Sequence, residues 1–186
     1  MMESSTHLEL ARAQKKTTLF ISGSRHIRAL NSEIKARLQN IVNNQFEIIV
    51  GDAFGVDKAV QQYLADINYS AVRVFCSGSV CRNNLGNWAI EWISVDPNLK
   101  GRAFYTEKDK AMAAQADYGF VLWDGKSQGS LNNIHELIRL ERKLLLWYAP
   151  RKIFHTITSI DDLQKLLSKP EPETLLPEPI QHSLAM

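Results

Sequence analysis

The strongest constraint on the fold is a unit that recurs along the chain: a short apolar run, a turn that contains glycine, and a stretch with apolar residues at helical spacing. The clearest copy joins the run 118–122, the turn 123–130 and the helical pattern 131–140. Strands that alternate with helices form a parallel sheet with helices on both faces. We therefore predict an α/β fold with a mainly parallel sheet.

The same patterns, followed along the chain, predict the individual elements. The predicted strands are 17–22, 46–50, 71–75, 118–122 and 144–148; the predicted helices are 31–42, 56–66, 131–140, 159–168 and one from Thr106 to the strand at 118. Thr106 is the predicted N-cap of its helix. Residues 77–105 are predicted as a long irregular loop of the kind that often carries function. Trp88 and Trp92 are expected on one face of a short helix there, to anchor the core or to stack on a base.

Length and composition predict one domain with two flanking segments. The 186 residues divide into a leader over 1–16, a single domain over 17–168 and a disordered tail over 169–186, where Pro and Glu are frequent. The chain has no apolar run of membrane-spanning length, and its first residues lack the order of a signal peptide. We expect a cytoplasmic protein without a membrane partner.

Charge and cysteine content limit the partners. A formal net charge of +2 is too small to indicate nucleic acid by bulk electrostatics, so no nucleic-acid partner is expected. Cys76 and Cys81 are too few for the usual four-ligand metal site, and a cytoplasmic protein is not expected to join them as a disulfide. We predict free thiols and no metal. The patterns GxGxxG and GxxxxGK[ST] are absent, so no cofactor is predicted.

Three glycine-bearing turns follow strands, at Gly23, Gly51 and Gly125, and therefore lie on the same edge of a parallel sheet. A helix that begins in such a turn offers free N–H groups and partial positive charge, which suit a phosphate. Arg25 has the donor geometry for a bidentate phosphate contact, although a surface arginine in a turn is an equal alternative. The predicted ligand-binding residues are Gly23, Ser24, Arg25, Gly51, Asp52, Gly55, Asp57, Asp124, Gly125, Ser127, Gly129, Ser130 and Asn133.

These turns carry motifs that match a known family in order. The motifs are Gly23-Ser24-Arg25, GDAFGVD at 51–57, Ala116-Asp117 and WDGKSQGS at 123–130; RNNLGNW at 82–88 and FYTEKD at 104–109 match a bacterial subgroup. Over residues 17–150 the chain resembles the YspA/YpsA-related branch of the SLOG superfamily. The resemblance implies a Rossmann-like three-layer sandwich that binds nucleotides or nucleotide-derived ligands. Relatives include cytokinin-releasing phosphoribohydrolases, sensors in conflict systems and, more distantly, the DNA-processing protein DprA; many form dimers, so a homodimer is one expected state.

One position departs from the hydrolase relatives. Their pattern GGxGTxxE ends in a Glu that serves N-glycosidic cleavage, and Asn133 occupies that place here. An amide cannot act as a nucleophile, but it can hydrogen-bond a ribose hydroxyl, so Asn133 favours binding over cleavage. Candidate replacement carboxylates are Asp57, Asp124 and Glu136, with Asp109 at a helix start as a further one.

Each candidate has a structural alternative. Asp57 is also placed to cap its helix or pair with Arg25, Asp124 to hold its own turn, and Glu136 to face solvent. His26 is a candidate phosphate donor or general acid, with an exposed turn residue as the alternative. We predict a protein that binds a nucleotide-like small molecule, as a sensor or a processing protein. The alternatives are an N-glycosidase acting on nucleoside monophosphates, which leaves enzymatic activity open, and a DNA-associated DprA-like module.

Overall fold

The computed structural model describes residues 16–168, which form one seven-stranded sheet flanked by five helices. Apart from Lys16, the predicted leader lies outside these residues, as does the predicted tail. The strands are β1 (Thr18–Gly23), β2 (Glu47–Gly51), β3 (Val72–Ser77), β4 (Ala89–Ile93), β5 (Tyr118–Trp123), β6 (Leu144–Tyr148) and β7 (Ile153–Ile157). The helices are α1 (Ser32–Asn43), α2 (Val56–Asp66), α3 (Gly101–Gln115), α4 (Gln128–Arg139) and α5 (Ile160–Ser168).

The sheet has the order β4-β3-β2-β1-β5-β6-β7. All neighbouring strands are parallel except β7, which runs antiparallel to β6. The chain builds outward from β1 through β2, β3 and β4, and then returns to the other side of β1 as β5. Connections therefore leave β1 and β5 in opposite directions, and a crevice opens at their carboxyl ends.

Two helical layers cover the sheet. The apolar faces of α1 and α2 pack on one side, with Leu38 and Val60 fully buried, and the faces of α3, α4 and α5 pack on the other, with Met112, Ile134 and Leu166 buried. None of the helices within residues 16–168 has both the length and the apolar composition needed to cross a bilayer. The predicted α/β, Rossmann-like three-layer sandwich is confirmed.

Local patterns placed most elements within one or two residues. The five predicted strands are all present, as β1, β2, β3, β5 and β6, and α2 has the predicted bounds. Asn31 is the N-cap of α1, where its side-chain oxygen accepts the N–H of Ile34 at 2.9 Å. That contact satisfies a donor that the first helical turn leaves free.

The prediction for residues 77–105 was wrong. The segment contains β4, which pairs with β3, and α3 begins at Gly101, so Thr106 is not an N-cap; its hydroxyl donates to the carbonyl of Arg102 inside the helix. No short helix carries the two tryptophans within this described segment. Trp88 anchors the loop through an indole N–H donated to the Tyr69 carbonyl at 2.8 Å, whereas Trp92 lies in β4 and is half exposed. Residues 89–93 form a strand because they pair with β3, a contact that the local composition does not indicate.

The prediction of free thiols was also wrong. Cys76 at the end of β3 and Cys81 in the following loop form a disulfide. Their Cα atoms lie 5.3 Å apart, within the range that a disulfide requires, because the loop turns back sharply at Gly78.

Gly23 tests the contact between β1, β5 and α2. A Cβ at this position would collide with the carbonyl of Leu122 and with the side chain of Val56. Gly23→Ala is therefore expected to lower the free energy of unfolding by about 1–3 kcal/mol, measured by urea denaturation. In the matched control Gly129→Ala, no described atom lies within 4 Å of the new methyl group, and a gain of about 0.5 kcal/mol is expected from the loss of glycine flexibility. Equal effects in the two variants would contradict this packing.

Candidate anion-binding cleft

A cleft of about 590 Å³ opens at the carboxyl edge of the sheet, where β1 and β5 lie side by side. Its walls come from the end of β1 and the turn after it, the turn after β2, the first turn of α2, and the loop before β4. One face of α3 from Gly101 to Met112 and the turn after β5 with the start of α4 complete them. The polar side chains that line it are Ser22, Arg25, His26, Asp57, Arg82, Arg102, Tyr105, Thr106, Lys108, Asp109, Lys126, Ser127, Gln128, Ser130, Asn132 and Asn133.

Asp124 organises the turn after β5. One of its oxygens accepts the hydroxyl of Ser24 at 2.7 Å and lies 3.1 Å from Nδ1 of His26, while the other accepts the N–H groups of Lys126 and Ser127. Burial opposes ionisation of this carboxyl, but the hydrogen bonds from Ser24, Ser127 and Lys126 outweigh it and lower its pKa to about 2. Asp124 is therefore a permanent anion that holds the turn, and the group is not a serine-histidine-aspartate triad because Ser24 is fully buried.

The start of α4 forms an electropositive wall. Ser127 is the N-cap of this helix of 12 residues, and its carbonyl accepts the indole N–H of Trp123 at 3.0 Å. Lys126, Gly129 and Ser130 line the cleft beside it. Apart from its chain neighbours and the backbone of its own helix, no described atom lies within 4 Å of the position that a Cβ at Gly129 would take, so a ligand can approach this backbone closely. Free N–H groups and the helix dipole favour an anion here.

Ser22 supplies an independent sign of a ligand. This residue of β1 lines the cleft and is only 4% exposed. Its hydroxyl has no hydrogen-bond partner within residues 16–168. An unpaired buried hydroxyl costs about 1–3 kcal/mol, which a ligand atom with a complementary group would recover.

Two arginine side chains lie near the ring of Tyr105. The guanidinium carbons of Arg25 and Arg82 lie 5.6 and 4.3 Å from the centre of its ring. Arg82 also donates two side-chain hydrogen bonds to Asp52, at 2.6 and 3.0 Å. Gly55 adopts φ +81° and packs against the backbone of Arg25, where a side chain would collide. The guanidinium of Arg82 is thus positioned before any ligand arrives, and the exposed Arg25 lies near the same ring.

The floor of the cleft contains carboxylates around a buried lysine. The ammonium group of Lys108 lies 3.5 Å from oxygens of both Asp52 and Asp109, and its side chain is 3% exposed. Asp57 lies near Lys108 as well: its Oδ2 and the Nζ of Lys108 are each 2.4 Å from the position that a Cβ at Gly51 would take. Burial outweighs the attraction of Lys108 and raises the pKa of Asp57 to about 6.

The other two carboxyls of the floor differ in their ionisation. Burial raises the pKa of Asp109, despite Lys108 and a hydrogen bond from Asn133. Burial also acts on Asp52, but hydrogen bonds and charge from Arg82, together with Lys108, outweigh it and lower its pKa. Asp52 is therefore an ionised partner of two cations, whereas Asp57 and Asp109 accept a proton more readily than an ordinary aspartate does.

The structure brings together about half of the predicted ligand-binding residues. Those that line the cleft are Gly23, Arg25, Asp57, Ser127, Gly129, Ser130 and Asn133; those that support it from behind are Ser24, Gly51, Asp52, Gly55, Asp124 and Gly125. Of the three predicted catalytic carboxylates, Asp57 alone lines the cleft. Glu136 instead pairs with Arg139 at 2.7 Å on α4. The roles of all these residues remain predictions.

Sequence reasoning missed five cationic or aromatic residues of the cleft, Arg82, Arg102, Tyr105, Lys108 and Lys126. All except Lys126 come from the segment between β3 and the middle of α3, whose structure was predicted wrongly. The motif that contains Arg82 was recognised, but no local pattern indicates that its side chain reaches Asp52.

One group of potential metal ligands assembles within residues 16–168, namely Asp52, Cys76 and Cys81. It does not fit a metal ion, because the two sulfur atoms are joined and Asp52 already pairs with Arg82 and Lys108. A cation would have to displace both positive charges.

Comparison with known proteins shows the fold. No protein-family model matches the sequence, and no curated protein matches it. A solved structure of DNA processing protein A from Helicobacter pylori, which binds single-stranded DNA, aligns with a TM-score of 0.53 and 16% identity. The alignment covers 70% of this chain and 64% of that one, so the likeness spans less than two thirds of the neighbour. At this identity the likeness shows a shared fold.

This neighbour corrects one expectation. Nucleic acid was not expected as a partner because the net charge is only +2. That inference was wrong, because a protein of the same fold binds single-stranded DNA. Net charge averages over the whole surface, whereas a binding site depends on the charges placed around it, and five Lys and Arg residues line this cleft.

The contributions of Asp57 and Asp124 to the free energy of unfolding should change with pH in opposite directions. The pKa of Asp57 is raised from 3.8 to about 6, so its ionisation destabilises the folded state as the pH rises through 6. Asp57→Asn should therefore exceed the wild type in free energy of unfolding by about 1–3 kcal/mol at pH 8, with the difference shrinking towards pH 4.

The pKa of Asp124 is lowered to about 2, so its stabilisation is present above pH 3.8 and is lost as the pH falls through 2. Asp124→Asn should be less stable than the wild type at pH 7, and the difference should shrink only in strong acid. Urea denaturation between pH 3 and pH 8 measures both variants. The same pH dependence in both would show that the two carboxyls do not differ in environment.

Proposed function

We propose that the cleft binds the phosphate of a nucleotide-like ligand. The observation that carries the proposal is Ser22, a residue that lines the cleft and whose buried hydroxyl has no partner among the described residues. The start of α4 lies in the same cleft and supplies backbone N–H groups, and Lys126 and Arg25 supply charge. A hydroxyl, a helix start and two cations around one space are the groups that a phosphate requires.

The remaining walls suit the rest of a nucleotide. Asn133 lies one turn into α4 from the helix start and hydrogen-bonds Asp109, so both present polar atoms to a sugar hydroxyl. The volume of about 590 Å³ is within the range of sites for small ligands. The motifs that resemble the SLOG superfamily support the same proposal, since their residues line the cleft or hold its turns. If the ligand is also cleaved at its N-glycosidic bond, the carboxylates in place are Asp57 and Asp109.

Two buried serines provide a matched test. Ser22 and Ser77 both carry a hydroxyl without a partner in the described chain, but Ser77 does not line the cleft. Either serine-to-alanine change should raise the free energy of unfolding of the free protein by about 1 kcal/mol, because an unpaired buried hydroxyl is removed. Ser22→Ala alone should weaken the binding of AMP and ADP-ribose, by about 5-fold in titration calorimetry. Equal affinity in Ser22→Ala and Ser77→Ala would contradict the proposed phosphate position.

Single-stranded nucleic acid is the second candidate ligand. The fold of the Helicobacter pylori protein favours it, as do the cations Arg25, Arg82, Arg102 and Lys126 around the cleft. Phe54 adds an aromatic surface near its rim: the side chain is 59% exposed, 5.8 Å from the ammonium group of Lys58, and adjacent to Ala53 in the cleft wall. Exposed aromatic rings stack on bases, and cations neutralise phosphates.

Salt dependence distinguishes a polymer from a single nucleotide. If a thymidine oligomer binds through several phosphates, its affinity should fall steeply with salt, and Arg102→Gln should reduce the slope of log affinity against log salt by about 0.7. Arg139→Gln is the control, because this arginine lies on the exposed side of α4 and pairs with Glu136. An affinity that does not change with salt, measured by fluorescence anisotropy, would remove the nucleic-acid candidate and leave the mononucleotide proposal intact.

A further inference from the structure

The floor of the cleft carries more negative charge than its buried cations neutralise. Lys108 is shared between Asp52 and Asp109 at 3.5 Å each and also faces Asp57. Arg82 is committed to Asp52 through two side-chain hydrogen bonds. Asp57 and Asp109 therefore depend on one ammonium group whose nearest oxygens already include a third carboxylate.

This imbalance matters because the floor and the proposed phosphate position share one cleft. Asp57 is 7% exposed, so solvent screens its charge poorly. An incoming anion adds negative charge beside two carboxylates that already repel each other. Addition of a proton to one of them neutralises its charge and so removes that repulsion. The neutral carboxyl also becomes a hydrogen-bond donor.

We propose that the Asp57–Lys108–Asp109 cluster takes up one proton from water when an anionic ligand enters the cleft, so that the protein binds anions more tightly as the pH falls. The inference rests on the proposed function, because it concerns the same site. The proton leaves a hydronium ion or a buffer acid in the solvent and forms an O–H bond on a carboxylate oxygen; no other covalent bond changes. Lys108 keeps its charge and its contacts to Asp52 and Asp109.

The surroundings of the pair support this assignment. From α3, Lys108 and Asp109 face Asp57; from the turn after β2, Asp52 faces it, and from the loop before β4, Arg82 acts on it. Burial raises the pKa of Asp57 to about 6 and raises that of Asp109 before any ligand is present. Further negative charge shifts both in the same direction.

One other group of the cleft needs to be separated from the pair. His26 lines the cleft and is the alternative carrier of a proton. Asn133 hydrogen-bonds Asp109, and Ala53 donates its N–H to Asp57 at 3.1 Å, but neither titrates. Comparison of variants at Asp57 and at His26 therefore identifies which group takes up the proton when the ligand binds.

The experiment uses the full chain with ADP-ribose, whose diphosphate bridge does not titrate near neutral pH. Titration calorimetry in buffers of different ionisation enthalpy should show an uptake of about half a proton to one proton at pH 7, and the affinity should rise about tenfold between pH 8 and pH 6. In Asp57→Asn the affinity at pH 8 should approach that of the wild type at pH 6, and both the uptake and the pH dependence should be lost or halved. Asp109→Asn provides the second variant, and Asp161→Asn, on the exposed side of α5, is the control.

Each outcome decides the inference. ADP-ribose bound equally well at both pH values overturns the proton uptake but leaves nucleotide binding in place. A pH dependence that survives in Asp57→Asn and Asp109→Asn and disappears in His26→Asn assigns the proton to the imidazole and overturns the inference. Absence of binding at every pH overturns the proposed function and this inference with it.

Discussion

The buried charge of Lys108 is the interaction on which the candidate site depends. An ammonium group that is 3% exposed must be paired, because an isolated ion in a protein interior costs several kcal/mol. Its partners come from the turn after β2, the start of α2 and its own helix α3, and Arg82 joins them from the loop before β4 through Asp52. One cation thus draws together three segments that are distant in sequence, at 52–57, 82 and 108–109. Removal of any carboxylate alters the charge balance that the other partners experience.

The topology explains why this cluster lies beneath a cleft and not within a closed core. β1 and β5 are neighbours, and the chain leaves them in opposite directions. The segments after β1, β2 and β5 therefore surround a space that no connection crosses. Hydrogen bonds between these segments hold the turns in place. The N–H of Ser24 donates to the Leu122 carbonyl at 2.9 Å, and that of Val56 donates to the Ser24 carbonyl at 3.2 Å. Shape and charge at this edge both follow from the strand order.

Local sequence patterns were sufficient for most of the fold and for about half of the candidate site. Apolar runs identified β1, β2, β3, β5 and β6, because each central strand is buried on both faces and its residues are almost all apolar. β4 and β7 are edge strands with mixed exposure, so they lack that signal. The glycine turns located the edge of the sheet. Arg82 and Lys108 escaped prediction because their importance arises from contacts with Asp52, which lies 30 or more residues away along the chain.

The indole of Trp123 connects the core to the start of α4. Its ring is almost fully buried against Tyr148, while its N–H bonds to the carbonyl of Ser127 at the helix N-cap. Indole emission responds to the polarity and the hydrogen bonding of its surroundings. Of the four tryptophans, Trp123 is therefore the one that contacts the turn at the start of α4, whereas the more exposed Trp92 lies on the edge strand β4.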